Sequence, residues 1–163
     1  MKIIKLLFFI LVTLISCNSV FAQSLGKMTL GCKRADIPLS LPKGFNVCKT
    51  NTSNQLTYGN SGYDYVSFYL NDNIVTKIEM HRFLLGFNTT HIESQLEEIF
   101  ISLCETWGEP SYVGENIYWY FPTSKATFSH TVTTEQFYGP HGIETQYNGY
   151  ITIKLEKRTN LFE

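Results

Sequence analysis

The chain has 163 residues, with 13 basic and 14 acidic side chains and a formal charge of −1. No basic stripe is present, which argues against nucleic acid as a partner, and a mild negative charge serves solubility. The length suits a leader plus one domain, or two small repeats sharing a sheet.

Residues 1–22 read as a secretory signal peptide: Lys2 and Lys5, an apolar run, then small residues ending at Ala22. The apolar run is short for a membrane span. Cleavage after Ala22 leaves 141 of the 163 residues, a single α+β domain over 23–163. Loss of the two leader lysines takes the balance to 11 basic against 14 acidic residues, a net −3. A competing reading takes Leu14-Ile15-Ser16-Cys17 as a lipobox, with Cys17 lipidated. The expected location is therefore periplasmic or secreted, with membrane attachment only through Cys17.

Three cysteines follow the leader, namely Cys32, Cys48 and Cys104. An oxidising compartment favours pairing, and a Cys32–Cys48 bridge is the preferred expectation. Such a loop closure adds about 3 kcal/mol when its geometry is unstrained. Cys104 falls in the best helix and reads as a small buried thiol. The spacing matches no zinc pattern, and no metal or cofactor is expected.

The strands come from alternation and turn residues. Residues 54–59 precede a turn at 60–62. Residues 63–70 follow, with Val66, Phe68 and Leu70 inward. Asn71-Asp72-Asn73 reads as a tight hairpin turn into a strand over 74–80, with Ile74, Ile78 and Met80 on one side. The clearest helix is 91–107, where Ile92, Leu96, Ile99, Leu103 and Trp107 make one apolar stripe. Thr90 and Glu93 are spaced as a capping box, and Gly108 and Pro110 end the helix. Strands over 116–121, 125–132 and 149–157 follow, with Ile151, Ile153 and Leu155 inward in the last. Residues 133–148 read as a long loop.

An internal repeat is expected with an offset of 55. Leu30-Gly31 and Ile37 share an L-G-x5-I spacing with Leu85-Gly86 and Ile92. The same shift overlays Gly59 on Gly114, and Tyr63 and Tyr65 on Tyr118 and Tyr120. The units would be 28–82 and 83–157, each a helix followed by antiparallel strands. Pro38, Pro42 and Gly44 allow only a short helical segment in the first.

The L-G-x5-I spacings and the Trp107–Ser111 stretch at the helix end resemble the SmpA/OmlA-type outer-membrane assembly lipoproteins and the tandem-repeat beta-lactamase inhibitor proteins. The resemblance covers most of 28–157. It implies helices over one face of a sheet, a free opposite face, and a non-enzymatic binder. It transfers no recognition residue.

The free face would carry Tyr63, Tyr65, Tyr69, Tyr118, Tyr120 and Tyr150. Tyrosine brings a large flat area and a polar tip at low entropic cost, which suits a contact surface. It also favours strands for purely structural reasons, and the 133–148 loop folding over this face is a third possibility. Asp64 and Glu144 would tune charge at the surface. The expected function is an exported protein-binding module of the bacterial envelope, acting as inhibitor, immunity factor or assembly accessory. No catalytic motif is found. The alternatives are a small hydrolase built on the 133–148 loop with His130 or His141, and a binder of a sugar or lipid.

Overall fold

The computed structural model describes residues 24–25, 27–48, 51–60, 64–86 and 88–158. The expected leader, Cys17 and Tyr63 lie outside these residues.

The chain is α+β, with a mainly antiparallel sheet of eight strands and two helices. A small hairpin comes first, β1 (Ser24–Leu25) with β2 (Met28–Thr29). A 3-10 turn, Arg34–Asp36, leads into the short helix α1 (Ile37–Ser40), which has Pro38 in its first turn, where no backbone N–H is lost. Then come β3 (Asn46–Val47), β4 (Gln55–Gly59), β5 (Tyr65–Asn71) and β6 (Ile74–Gly86). Helix α2 (Thr89–Trp107) crosses to β7 (Ser111–Val113), β8 (Asn116–Tyr120), β9 (Ser124–Gly139) and β10 (Gly142–Lys157). The strand order is β3-β4-β5-β6-β10-β9-β8-β7. Two antiparallel meanders thus meet where β6 pairs with β10.

Local chemistry explains most elements. Asp72 and Asn73 both hold positive φ, at 50° and 63°, as a two-residue type I′ turn requires. One register shift follows it. Tyr69 pairs with Lys77 and Leu70 with Val75, leaving Thr76 as an extra residue whose hydroxyl donates to the Tyr69 carbonyl. The bulge corrects one expectation: Val75, fully buried, faces the core in place of Ile74.

Helix α2 starts earlier than its apolar stripe suggests. Asn88 is the N-cap, and its side-chain oxygen accepts from the His91 backbone N–H. The expected Thr90–Glu93 capping box is corrected accordingly, since Thr90 is already helical. Gly108 ends the helix at a φ of 84°.

The core lies on one face of the sheet. Leu56, Tyr58, Val66, Phe68, Ile78, Leu84, Trp119, Ala126, Phe128, Ile151, Ile153 and Leu155 are all buried. From α2, Ile92, Leu96 and Leu103 join them, and Phe100 rests against Trp119 and Phe128. Leu25 and Met28 of the β1–β2 hairpin, Leu30 just after it and Ile37 of α1 complete this layer.

The expected Cys32–Cys48 bridge is not formed, and Cys32, Cys48 and Cys104 are free thiols. Backbone bonding separates the first two. Val75 N–H donates to the Cys32 carbonyl beside the start of β6, whereas Cys48 N–H donates to Thr57 on β4. Two strand spacings and several residues of strand length lie between those anchor points, a separation of roughly 15 Å, beyond disulfide reach. Burial pushes the Cys32 and Cys104 thiols up from their ordinary values, which lowers their reactivity.

The expected loop over 133–148 is also corrected. It is the outer half of a long β9–β10 hairpin, paired without a break from Lys157–Ser124 to Gly142–Gly139, with Pro140 and His141 at the turn. Threonine, valine, phenylalanine and tyrosine recur in this stretch, and they favour strand over loop. Likewise β6 runs on to Gly86 because residues 81–86 pair with β10 at 147–152.

Candidate functional site: the outer face of the sheet

Register assigns side chains to faces, because directly paired residues share a face and neighbours along a strand alternate. Opposite the core, one row reads Gln55, Tyr69, Lys77, Glu156, Lys125, Tyr120. The next reads Thr57, Ser67, Glu79, Lys154, Thr127, Tyr118. A third holds Tyr65, His81, Thr152 and Ser129, and a fourth Phe83, Tyr150 and Thr131. Tyr65, Tyr69, Tyr118, Tyr120 and Tyr150 therefore share the outer face.

They do not form one continuous row. Tyr118 and Tyr120 stack on β8 with ring centroids 6.0 Å apart, and the Lys125 ammonium lies 4.3 Å from the Tyr118 ring centre. Tyr65 stands on β5, four strand spacings or roughly 19 Å away. The band between them is charged and internally paired. Lys77 meets Glu79 at 3.0 Å and Lys154 meets Glu156 at 2.7 Å.

The second cluster is built on β5, β6 and β10. Tyr65 stacks on His81 at 4.3 Å with rings 18° from parallel, and Phe83 lies 5.2 Å from Tyr150. Together with Leu85, Gln146 and Thr152 these rings line a hollow of about 570 Å³. That volume is in the range of small-molecule sites. His81 Nδ1 is 3.1 Å from the Thr152 hydroxyl, so the ring is held in place from below. Tyr65, Tyr120 and Tyr150 keep 41%, 45% and 47% of their surface exposed.

Tyr69 is different. Its hydroxyl donates to Glu79 Oε2 at 2.7 Å, and the Lys77 ammonium sits 3.6 Å from its ring centre. The hydrogen bond to Glu79 holds the phenol protonated, with burial adding, and pushes its pKa up to about 12. Tyr69 thus belongs to the charged band more than to either ring cluster.

Asp64 serves the fold. Its Oδ1 accepts from the Phe83 N–H, and Oδ2 lies 3.3 Å from the Asn60 amide and 3.8 Å from Arg82. Glu144 lies in β10 opposite Phe137, on the hairpin arm and away from both tyrosine clusters. His130 is on β9 and His141 is in the turn beyond Gly139, roughly ten residues or 33 Å further along the arm, so the two do not meet. Among the described residues, no cluster of three or more histidine, cysteine or acidic side chains is placed to hold a metal ion. No helix among them is long and apolar enough to cross a membrane. His81, Phe83, Gln146 and Thr152 of the hollow are not among the expected site residues: the first three lie outside the strands expected over 74–80 and 149–157, and Thr152 lies inside the second.

Acidification is expected to weaken the fold in two separate windows. Burial is the largest influence on His81 and pushes its ring below the ordinary 6.5, against an opposing pull from Glu79. The unfolded chain takes up this proton first, so the contribution is complete above pH 6.5 and is lost as pH falls toward the folded value. For Glu79, burial favours the neutral acid, but hydrogen bonds from Tyr69 and Lys77 outweigh it and hold the carboxyl below the ordinary 4.5. Its contribution disappears only at pH below 4.5. Urea midpoints measured across this range should show the first decline in the parent chain and a flatter profile in His81→Asn. An equal slope in both would assign the decline to another group.

No family model matches the chain. No curated protein and no solved structure is significantly similar to it.

Proposed function

We propose that the chain is an exported, non-catalytic binding module of the bacterial envelope, which holds a protein partner against the outer face of its sheet. The observation that carries this reading is the exposure of Tyr65, Tyr120 and Tyr150 on the side opposite the core. Rigid strands hold these rings in advance, so little side-chain entropy is lost when they are covered. The charged band between the clusters supplies register, since a partner must match its alternating signs. The role is inhibition, immunity against a toxin, or help in assembly, exercised sterically by covering the partner. Secretion through the leader, or anchoring at Cys17, places the module outside the cytoplasm. Two meanders meeting head to head are also what a duplicated helix-plus-strands unit would leave, although the 55-residue offset relates β5 to β8, the third strand of one meander and the second of the other.

The test uses two double variants, Tyr65→Ser with Tyr150→Ser, and Tyr118→Ser with Tyr120→Ser. Each pair is expected to weaken capture of the envelope partner by about 2 kcal/mol, roughly thirtyfold, with little change in melting temperature. Cross-links from the captured protein should fall on the outer face. Undiminished capture by both variants, or cross-links confined to α2, would reject the reading.

The hollow favours a second reading, a small uncharged ligand such as a sugar ring stacked on Tyr65 or Tyr150. Titration of neutral saccharides followed by tyrosine resonances separates the two: ring shifts confined to the hollow would support the ligand.

A further inference from the structure

We infer that the free edge of β9 docks the same edge of a second copy of this chain, joining two sheets into one. β10 pairs with β9 along its whole length, from Ser124 to Gly139. β8 covers the other edge only from Lys125 to Phe128. From Ser129 to Gly139 the outward N–H and C=O groups of β9 therefore have no partner strand among the described residues.

The contrast with the sheet's ends is informative. β3 and β7, the terminal strands, are 2 and 3 residues long, and shortness is one way proteins blunt an edge. Residues 129–139 have none of the usual protection: no lysine, no arginine, no proline, and a single carboxylate, Glu135. The arm also exposes apolar bulk. Tyr138 is 88% exposed, and Val132, Phe137 and Ile143 are exposed as well. A two-stranded arm of this kind is marginal alone and gains from a further strand.

A second copy fits the edge by charge and by length. Antiparallel pairing about a two-fold axis through Thr133 sets Thr133 against Thr133, Val132 against Thr134 and Thr131 against Glu135. No like charges meet, and threonine pairs are favourable across strands. The paired span, 129–137, ends where β8 begins to cover the edge at Phe128.

Sedimentation velocity on the exported chain, from low micromolar to several hundred micromolar, is expected to show a monomer–dimer equilibrium. Thr133→Lys places two ammonium groups against each other and should raise the dissociation constant by tenfold or more, while Thr133→Ser should dimerise like the parent. Amide hydrogen exchange on the unaltered chain gives an independent reading: protection at 129–137 should rise with protein concentration. A monomer at every concentration overturns the inference, as does a dimer that survives Thr133→Lys or one whose protection appears elsewhere. A partner protein's strand on this edge would give the first of those results.

Discussion

Trp119→Ala is expected to cost about 3–5 kcal/mol, the largest loss from any single change described for this fold. Trp119 is 1% exposed on β8. Its ring stands edge-on to Trp107 at 5.3 Å and close to Phe100 at 6.2 Å, so it joins the C-terminal half of α2 to the sheet. Its indole N–H donates to the Gly108 carbonyl at 2.9 Å, at the helix C-cap, where carbonyls otherwise lack partners. Alanine removes the packing and that bond together. Since domains of this size are stable by about 5–15 kcal/mol, the variant should be near its unfolding threshold. The urea midpoint, followed by circular dichroism, measures this. Trp107→Phe is the contrasting control. Among the described residues its indole nitrogen is buried with no hydrogen-bond partner, so phenylalanine removes an unpaid polar burial along with some volume. A Trp119→Ala loss no greater than that of Trp107→Phe would contradict the packing described.

The second large effect is expected at Gly149, where valine should destabilise by about 1–3 kcal/mol although it favours strand backbone. A Cβ there would lie 3.0 Å from Ile92 Cγ2 and 3.2 Å from Leu84 Cβ. Gly86, on the adjoining strand, would bring a Cβ within 3.1 Å of Ile92. Ile92 is fully buried and sits over these two glycines, so the first turn of α2 lies almost on the backbone of β6 and β10. The penalty is steric and not conformational, and relief should come from the helix side. Gly149→Ala combined with Ile92→Ala, which removes the clashing Cγ2, should lose less than the two separate losses summed, a coupling that a double-mutant cycle in urea reads directly. Strict additivity would place Ile92 elsewhere.

These two sites show how legible the chain was. The apolar stripe Ile92-Leu96-Leu103 announces α2, and Trp119 falls on the inward side of an alternating segment, because both depend on a local period. Gly86 is misleading. It reads as the start of a helix motif, whereas it ends a strand and clears space for Ile92. The same limit hides the outer half of the β9–β10 hairpin and the end of β6. In the hairpin the partners are near in sequence, Tyr138 with Ile143 and Thr133 with Asn148, but no side-chain period marks them. The end of β6 pairs with residues far along the chain, His81 with Thr152 and Gly86 with Tyr147. The hollow is missed for that reason, since His81 and Phe83 lie in the unread part of β6.

Alternation alone determined that Tyr65, Tyr69, Tyr118, Tyr120 and Tyr150 turn away from the core, because side chains in a strand reverse direction at every residue. Only the tertiary structure decided which of them are neighbours. The crossover through α2 returns the chain with β10 beside β6, which sets β8 four strands from β5 and divides the tyrosines into two clusters across a charged band. Facing is a property of the local backbone, whereas adjacency depends on pairing between distant segments, and no short window of sequence contains it.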